Sequence, residues 1–148
     1  MTELIKELEV FFGIENISFD TQGLCSFRLQ DRDILILRHD TEKKRLVIAV
    51  EIGKAIPLSQ DLLIAALSFN FNRLAISGAW LSLDHETKTL FLADEFFLEV
   101  IERENFRERI SLFFQHYLTC QGIFSEEAVA ALLSKESPTD LLRADQLA

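Results

Sequence analysis

The 148-residue sequence predicts an α+β fold in the order α-β-β-β-α-β-β-α, a twisted antiparallel sheet packed by helices and followed by a C-terminal helical tail. Two observations predict it. Five short runs rich in aliphatic and β-branched residues lie between polar turns, and three further segments carry apolar residues at helical spacing. The strands do not alternate one by one with helices, so the order is not that of a doubly wound parallel sheet.

The first helix is expected to start at Thr2 as its cap. Leu4, Leu8 and Phe11 form one line on it, Ile5 and Phe12 widen that line, and Gly13 supplies the stop. Asp20-Thr21-Gln22-Gly23 reads as a turn, after which Leu24 to Leu29 and Ile34 to Arg38 form a hairpin across Gln30-Asp31-Arg32-Asp33. A polar connection, His39 to Lys44, leads to a third strand, Arg45 to Ile52. Here Leu46, Ile48, Val50 and Ile52 point one way while Val47 and Ala49 point the other, so both faces need cover.

Gly53 and Pro57 break that strand, and Ser59 is placed to cap a helix from about Gln60 to Asn72. Its centre, Leu62 to Leu67, is apolar almost all round, which calls for burial on more than one side. A second copy of the chain supplies that burial, so a dimer interface is expected at Leu63, Ala66, Leu67, Phe69 and Asn70, with Trp80 and Leu81 alongside; ordinary intrachain core is the competing assignment. A second hairpin follows, Trp80 to Asp84 and Thr89 to Ala93 around His85-Glu86-Thr87-Lys88. The last helix is expected to open at Asn105, with Glu108 at capping-box spacing, and to run to Gly122 on a stripe of Phe106, Ile110, Phe113, Phe114, Tyr117 and Leu118. The division is therefore a domain at 1–124 and a helical or partly disordered extension at 125–148.

A formal net charge of −9 repels phosphate backbones and anionic headgroups, which excludes nucleic acid and membrane insertion as expected partners. Cys25 and Cys120 have no CxxC spacing, and with no signal-peptide pattern a reducing cytoplasm is the expected location. His39, His85 and His116 are isolated, and no phosphate-cradling loop, nucleophile elbow or metal-ligand spacing occurs, so neither enzyme activity nor a cofactor is expected. The one acid-base cluster to weigh, Asp31, Asp33, His39 and Asp40, reads as charged turn residues. Arg103, Arg107 and Arg109, alternating with Glu102, Glu104 and Glu108, read as a solvated helix face.

The strand entry Ile17-Ser18-Phe19-Asp20-Thr21-Gln22-Gly23-Leu24-Cys25, the exit Ile52-Gly53-Lys54-Ala55-Ile56-Pro57, the run Leu62 to Asn70, the segment Ser77 to Asp84 and the final aromatic helix form an ordered set. In that order and size the chain resembles the class I type III secretion chaperones of the Tir-chaperone group, from about Leu4 to Phe124. The resemblance implies a cytoplasmic homodimer that binds the N-terminal non-globular segment of one or more secreted effectors and keeps it secretion-competent, with the export apparatus as a further candidate partner. The tail after Phe124 departs from the group's usual length. Strand addition at a sheet edge and apolar grooves are the physical means available. The effector-facing set is expected among Leu4, Leu8, Phe11, Phe12, Phe27, Leu29, Leu35 and Leu37, with core packing as the other role open to each. The rival reading is a stand-alone regulator of chaperone-like (YbjN-like) fold with no secretion cargo.

Overall fold

The computed structural model describes residues 1–30, 32–53, 60–73 and 78–124. Its elements are α1 (Thr2–Phe12), β1 (Leu24–Leu29), β2 (Asp33–Asp40), β3 (Arg45–Gly53), α2 (Gln60–Arg73), β4 (Trp80–Asp84), β5 (Thr89–Phe97) and α3 (Arg103–Ile123), in the order expected. All neighbouring strands are antiparallel, and the sheet order is β1-β2-β3-β5-β4. The expected turn residue Asp31, the cap at Ser59, the break at Pro57 and the extension 125–148 lie outside the described residues.

The register divides the sheet into two faces. Phe27, Leu35, Val50 and Leu92 form one cross-strand row, and Cys25, Leu37, Ile48 and Asp94 form the next. On this inner face Leu35, Leu37, Leu46, Ile48, Val50, Leu92 and Phe96 are fully buried. Arg28 and Ile34, and Ser26, Ile36, Ala49 and Ala93, form rows on the outer face. The doubly apolar third strand thus splits as expected: its even positions enter the core, while Val47 and Ala49 are half-buried on the other side.

α1 and α3 cover the inner face. Phe106 meets Phe96 edge-on with ring centroids 4.9 Å apart, and Phe12 meets Phe27 at 5.2 Å, which seats one helix over β5 and the other over β1. Burying the Phe106, Phe113 and Phe96 side chains contributes on the order of 1.5–3 kcal/mol each, the usual scale for a fully buried apolar side chain.

Several boundaries differ from expectation. Thr2 is already helical, with Met1 as a cap that makes no side-chain hydrogen bond. α3 begins at Arg103 rather than Asn105, again without a side-chain cap, because ion pairs to α1 hold its first turns instead. Gly122 lies inside α3, which closes with Phe124 N–H donating to Cys120 O at 2.8 Å. β2 continues through His39 and Asp40 because they pair with Leu46 and Arg45, and β5 runs to Phe97 because β3 pairs with it that far. Gly13 does end α1, in the left-handed conformation at φ 65°. Gly23 sits at φ 74°, and a β-carbon there would lie 2.4 Å from His39 O, so only glycine lets the chain enter β1 so close to β2.

Candidate docking surface

The two edges of the sheet are treated differently by the chain. At the β4 edge, the Asn70 side chain of α2 donates from Nδ2 to Leu81 O at 3.0 Å and accepts from Leu81 N–H at 2.6 Å. One amide therefore mimics a neighbouring strand at Leu81 and occupies the edge there. At the β1 edge, Leu24 is also occupied: its N–H donates to Asp20 Oδ1 and its carbonyl accepts from Asp20 N–H, both at 2.9 Å. Gly23 O meanwhile accepts from His39 N–H at 2.8 Å, so the ladder alternation points Cys25 and Phe27 toward β2 and turns Ser26 and Arg28 outward. Both residues are exposed, and no backbone bond to another segment is recorded for them among the described residues.

Beside this edge lies a groove of about 460 Å³ between residues 14–20 and β1, lined on its apolar side by Ile14, Ile17, Phe19, Leu24, Cys25 and Phe27. Its outer wall is held in place by Glu9, whose Oε1 accepts from Ile17 N–H at 2.9 Å. Burial pushes the Cys25 thiol up and the backbone of Ser18 offsets part of that, so the thiol is an apolar wall residue rather than a nucleophile.

The helix that carries Glu9 is itself pinned to α3. Glu7 is buried between two arginines, accepting from Arg107 Nε at 2.9 Å and Nη2 at 2.8 Å, and from Arg103. Those bonds, the one to Arg107 foremost, hold the Glu7 carboxyl below the usual carboxylate range. Arg109 lies over the Phe96 ring at 4.5 Å and bonds Asp94, whose carboxyl burial pushes up while the guanidinium partly restores it. The arginines of α3 are therefore tertiary anchors, contrary to the solvated face expected of them. Farther along α3, Tyr117 and Gln121 both donate to Asp33, the latter at 2.6 Å, and burial leads the causes that push the Tyr117 hydroxyl far up. This ties the helix to the β1–β2 turn.

The expected effector-facing residues separate into two groups. Phe11 is exposed, and Phe12, Phe27 and Leu29 are half-buried, with Phe11 and Phe12 each 5.1 Å from the Phe114 ring. Leu4, Leu8, Leu35 and Leu37 are buried and belong to the intrachain core. Within the expected dimer set Leu63 and Leu67 are exposed and Trp80 and Phe69 half-buried; Ala66 and Leu81 belong to the core, and Asn70 is engaged at the β4 edge. Sequence reasoning missed Ile64, 52% exposed, and Phe71, 76% exposed, which extend Leu63 and Leu67 into one stripe. The i, i+3, i+7 spacing of Ile64, Leu67 and Phe71 was the available signal.

Asp33 and His39 sit at opposite ends of β2, about 20 Å apart at strand rise, so the imagined acid-base cluster is not assembled. No group of three metal-binding side chains converges among the described residues, and no helix among them is long and apolar enough to cross a membrane.

A model of the Tir chaperone protein (CesT) family matches residues 3–118. The chain belongs to that family. Among solved structures, it is similar to the ExsC–ExsE complex at a TM-score of 0.69, with 18% identity over 82% of this chain and 90% of that one. It is similar also to the HopA1–SchA chaperone–effector complex at 0.64, with 16% identity over 82% and 92%. The Yersinia pestis type III secretion chaperone SycH, solved with a fragment of YscM2, matches at 0.57, with 19% identity over 79% and 96%. No curated protein matches the sequence. The fold is that of type III secretion chaperones, and the stand-alone regulator reading is not favoured.

Proposed function

We propose that this chain is a type III secretion chaperone that binds the extended N-terminal segment of one or more effectors at the β1 edge and keeps it secretion-competent. The observation that carries the reading is the β1 edge itself: Ser26 and Arg28 face outward beside an apolar groove, whereas on β4 Asn70 already occupies Leu81. An extended segment gains backbone hydrogen bonds there and apolar contact with Ile17 and Phe27, while Phe11, Phe12 and Leu29 continue the apolar surface around the hairpin. No bond is made or broken in that task, so the protein works by binding, without cofactor or catalytic step, in the bacterial cytoplasm.

The exposed stripe Leu63, Ile64, Leu67 and Phe71 supports a homodimer through α2, since contiguous apolar surface of this kind is where copies of a chain meet. The test is mass spectrometry of what co-purifies with the tagged protein from its native host, repeated with Ser26→Pro. Proline is tolerated on an edge strand but removes the outward N–H. Recovery of one or a few partners through their first hundred or so residues, lost in Ser26→Pro, supports the reading; partners retained by the variant, or none recovered with the native chain, defeat it.

A further inference from the structure

We infer that the β1 edge selects cargo segments that alternate apolar and acidic residues, with an acidic residue placed opposite Arg28. This rests on strand addition at β1 and adds to it the chemistry of the added strand. The two faces of β1 differ in kind. Phe27 and Leu29 point to the inner face, Phe27 toward the groove and Phe12, whereas Ser26 and Arg28 point to the outer face. A strand added to the edge lies about 4.8 Å from β1, and its side chains alternate between the same two faces. Where one residue opposes Arg28 on the outer face, with β-carbons about 5 Å apart, its two neighbours point into the apolar side.

Arg28 is exposed and has no ion pair among the described residues, in a chain whose formal net charge is −9. Arg45 pairs with Asp40 and Glu95, Arg103 and Arg107 with Glu7, and Arg109 with Asp94. Arg38 is exposed and without a recorded ion pair among the described residues, as Arg28 is, but it lies on β2, one strand in from the edge. Arg28 pairs with Ile34, and the carboxylate nearest along that direction is Glu51 on β3, two strands away, whose Oε2 accepts from Ile34 N–H. The added strand, by contrast, is Arg28's immediate neighbour. The overall negative field attracts basic segments from a distance, but at physiological ionic strength charges beyond about 8 Å are largely screened. The contact at Arg28 therefore decides the preference, against the general expectation for an acidic protein.

Two fluorescein-labelled, end-blocked decapeptides, one alternating valine with glutamate and one alternating valine with lysine, test this by fluorescence polarisation at about 0.15 M salt. The native chain is expected to bind the glutamate peptide about fivefold more tightly, Arg28→Glu to reverse the order, and Ser26→Pro to weaken both. Equal binding of the two peptides, abolished by Ser26→Pro, overturns the charge preference and leaves edge docking standing. Binding that Ser26→Pro does not change overturns docking at β1 and the inference with it. Failure of the glutamate peptide to bind below about 1 mM also overturns the inference.

Discussion

Replacing Asn70 with alanine opens the β4 edge at Leu81 without disturbing the core, because the side chain is half-buried and its two recorded bonds both go to Leu81. Each bond contributes about 0.5–1.5 kcal/mol net, so Asn70→Ala is expected to cost about 1–3 kcal/mol. For a chain of 148 residues that lowers the melting temperature by about 3–10 °C. Urea unfolding followed by circular dichroism measures the loss, at one fixed protein concentration because a dimer's stability depends on it. Asn70→Asp keeps an acceptor for the Leu81 N–H but sets a carboxylate against the Leu81 carbonyl, so it is expected to lose about as much. A loss below about 0.5 kcal/mol in both variants refutes the reasoning that this amide occupies the edge there.

Three further outcomes follow from the packing. Leu67→Asp and Phe71→Asp change exposed positions, so they are expected to leave the fold intact and shift the protein from dimer to monomer in size-exclusion with light scattering. Glu7 has a carboxyl pKa held below its ordinary value, so its pairing with Arg107 and Arg103 stabilises fully above the unfolded value of about 4.5 and is lost as pH falls through the folded one. The stability difference between the native chain and Glu7→Gln is accordingly expected to be constant near neutrality and to shrink below about pH 5, as read from urea midpoints across pH. Gly23→Ala places a methyl group against His39 O at a positive φ and is expected to cost at least about 1–3 kcal/mol in the same unfolding assay.

Much of the fold was legible because strand alternation is a local signal. Leu46, Ile48 and Val50 announced a buried face, and the polar runs around Gly23 and Lys88 marked turns where Gly23 and Lys88 indeed take positive φ. Element ends were less legible where no side chain does the capping: Met1 and Glu102 begin helices without a side-chain bond, and β5 is extended to Phe97 only by its partner strand. The candidate site was legible as a set of apolar residues but not as a surface. Leu35 and Phe27 are equally apolar in sequence and stand in one cross-strand row, yet the first is fully buried in the core while the second borders the groove. The bond of Asn70 to the backbone of Leu81 was not legible, because a backbone partner leaves no trace in side-chain pattern.

The outward-facing amides of β1 report directly on where cargo binds. Hydrogen–deuterium exchange, measured on the protein alone and with the partner segment recovered by co-purification, is expected to slow at Ser26 and Arg28 by about tenfold or more, with Cys25 and Phe27, already turned toward β2, changing little. Slowing confined to α2, or spread evenly over the sheet with no excess at Ser26 and Arg28, contradicts cargo addition at this edge.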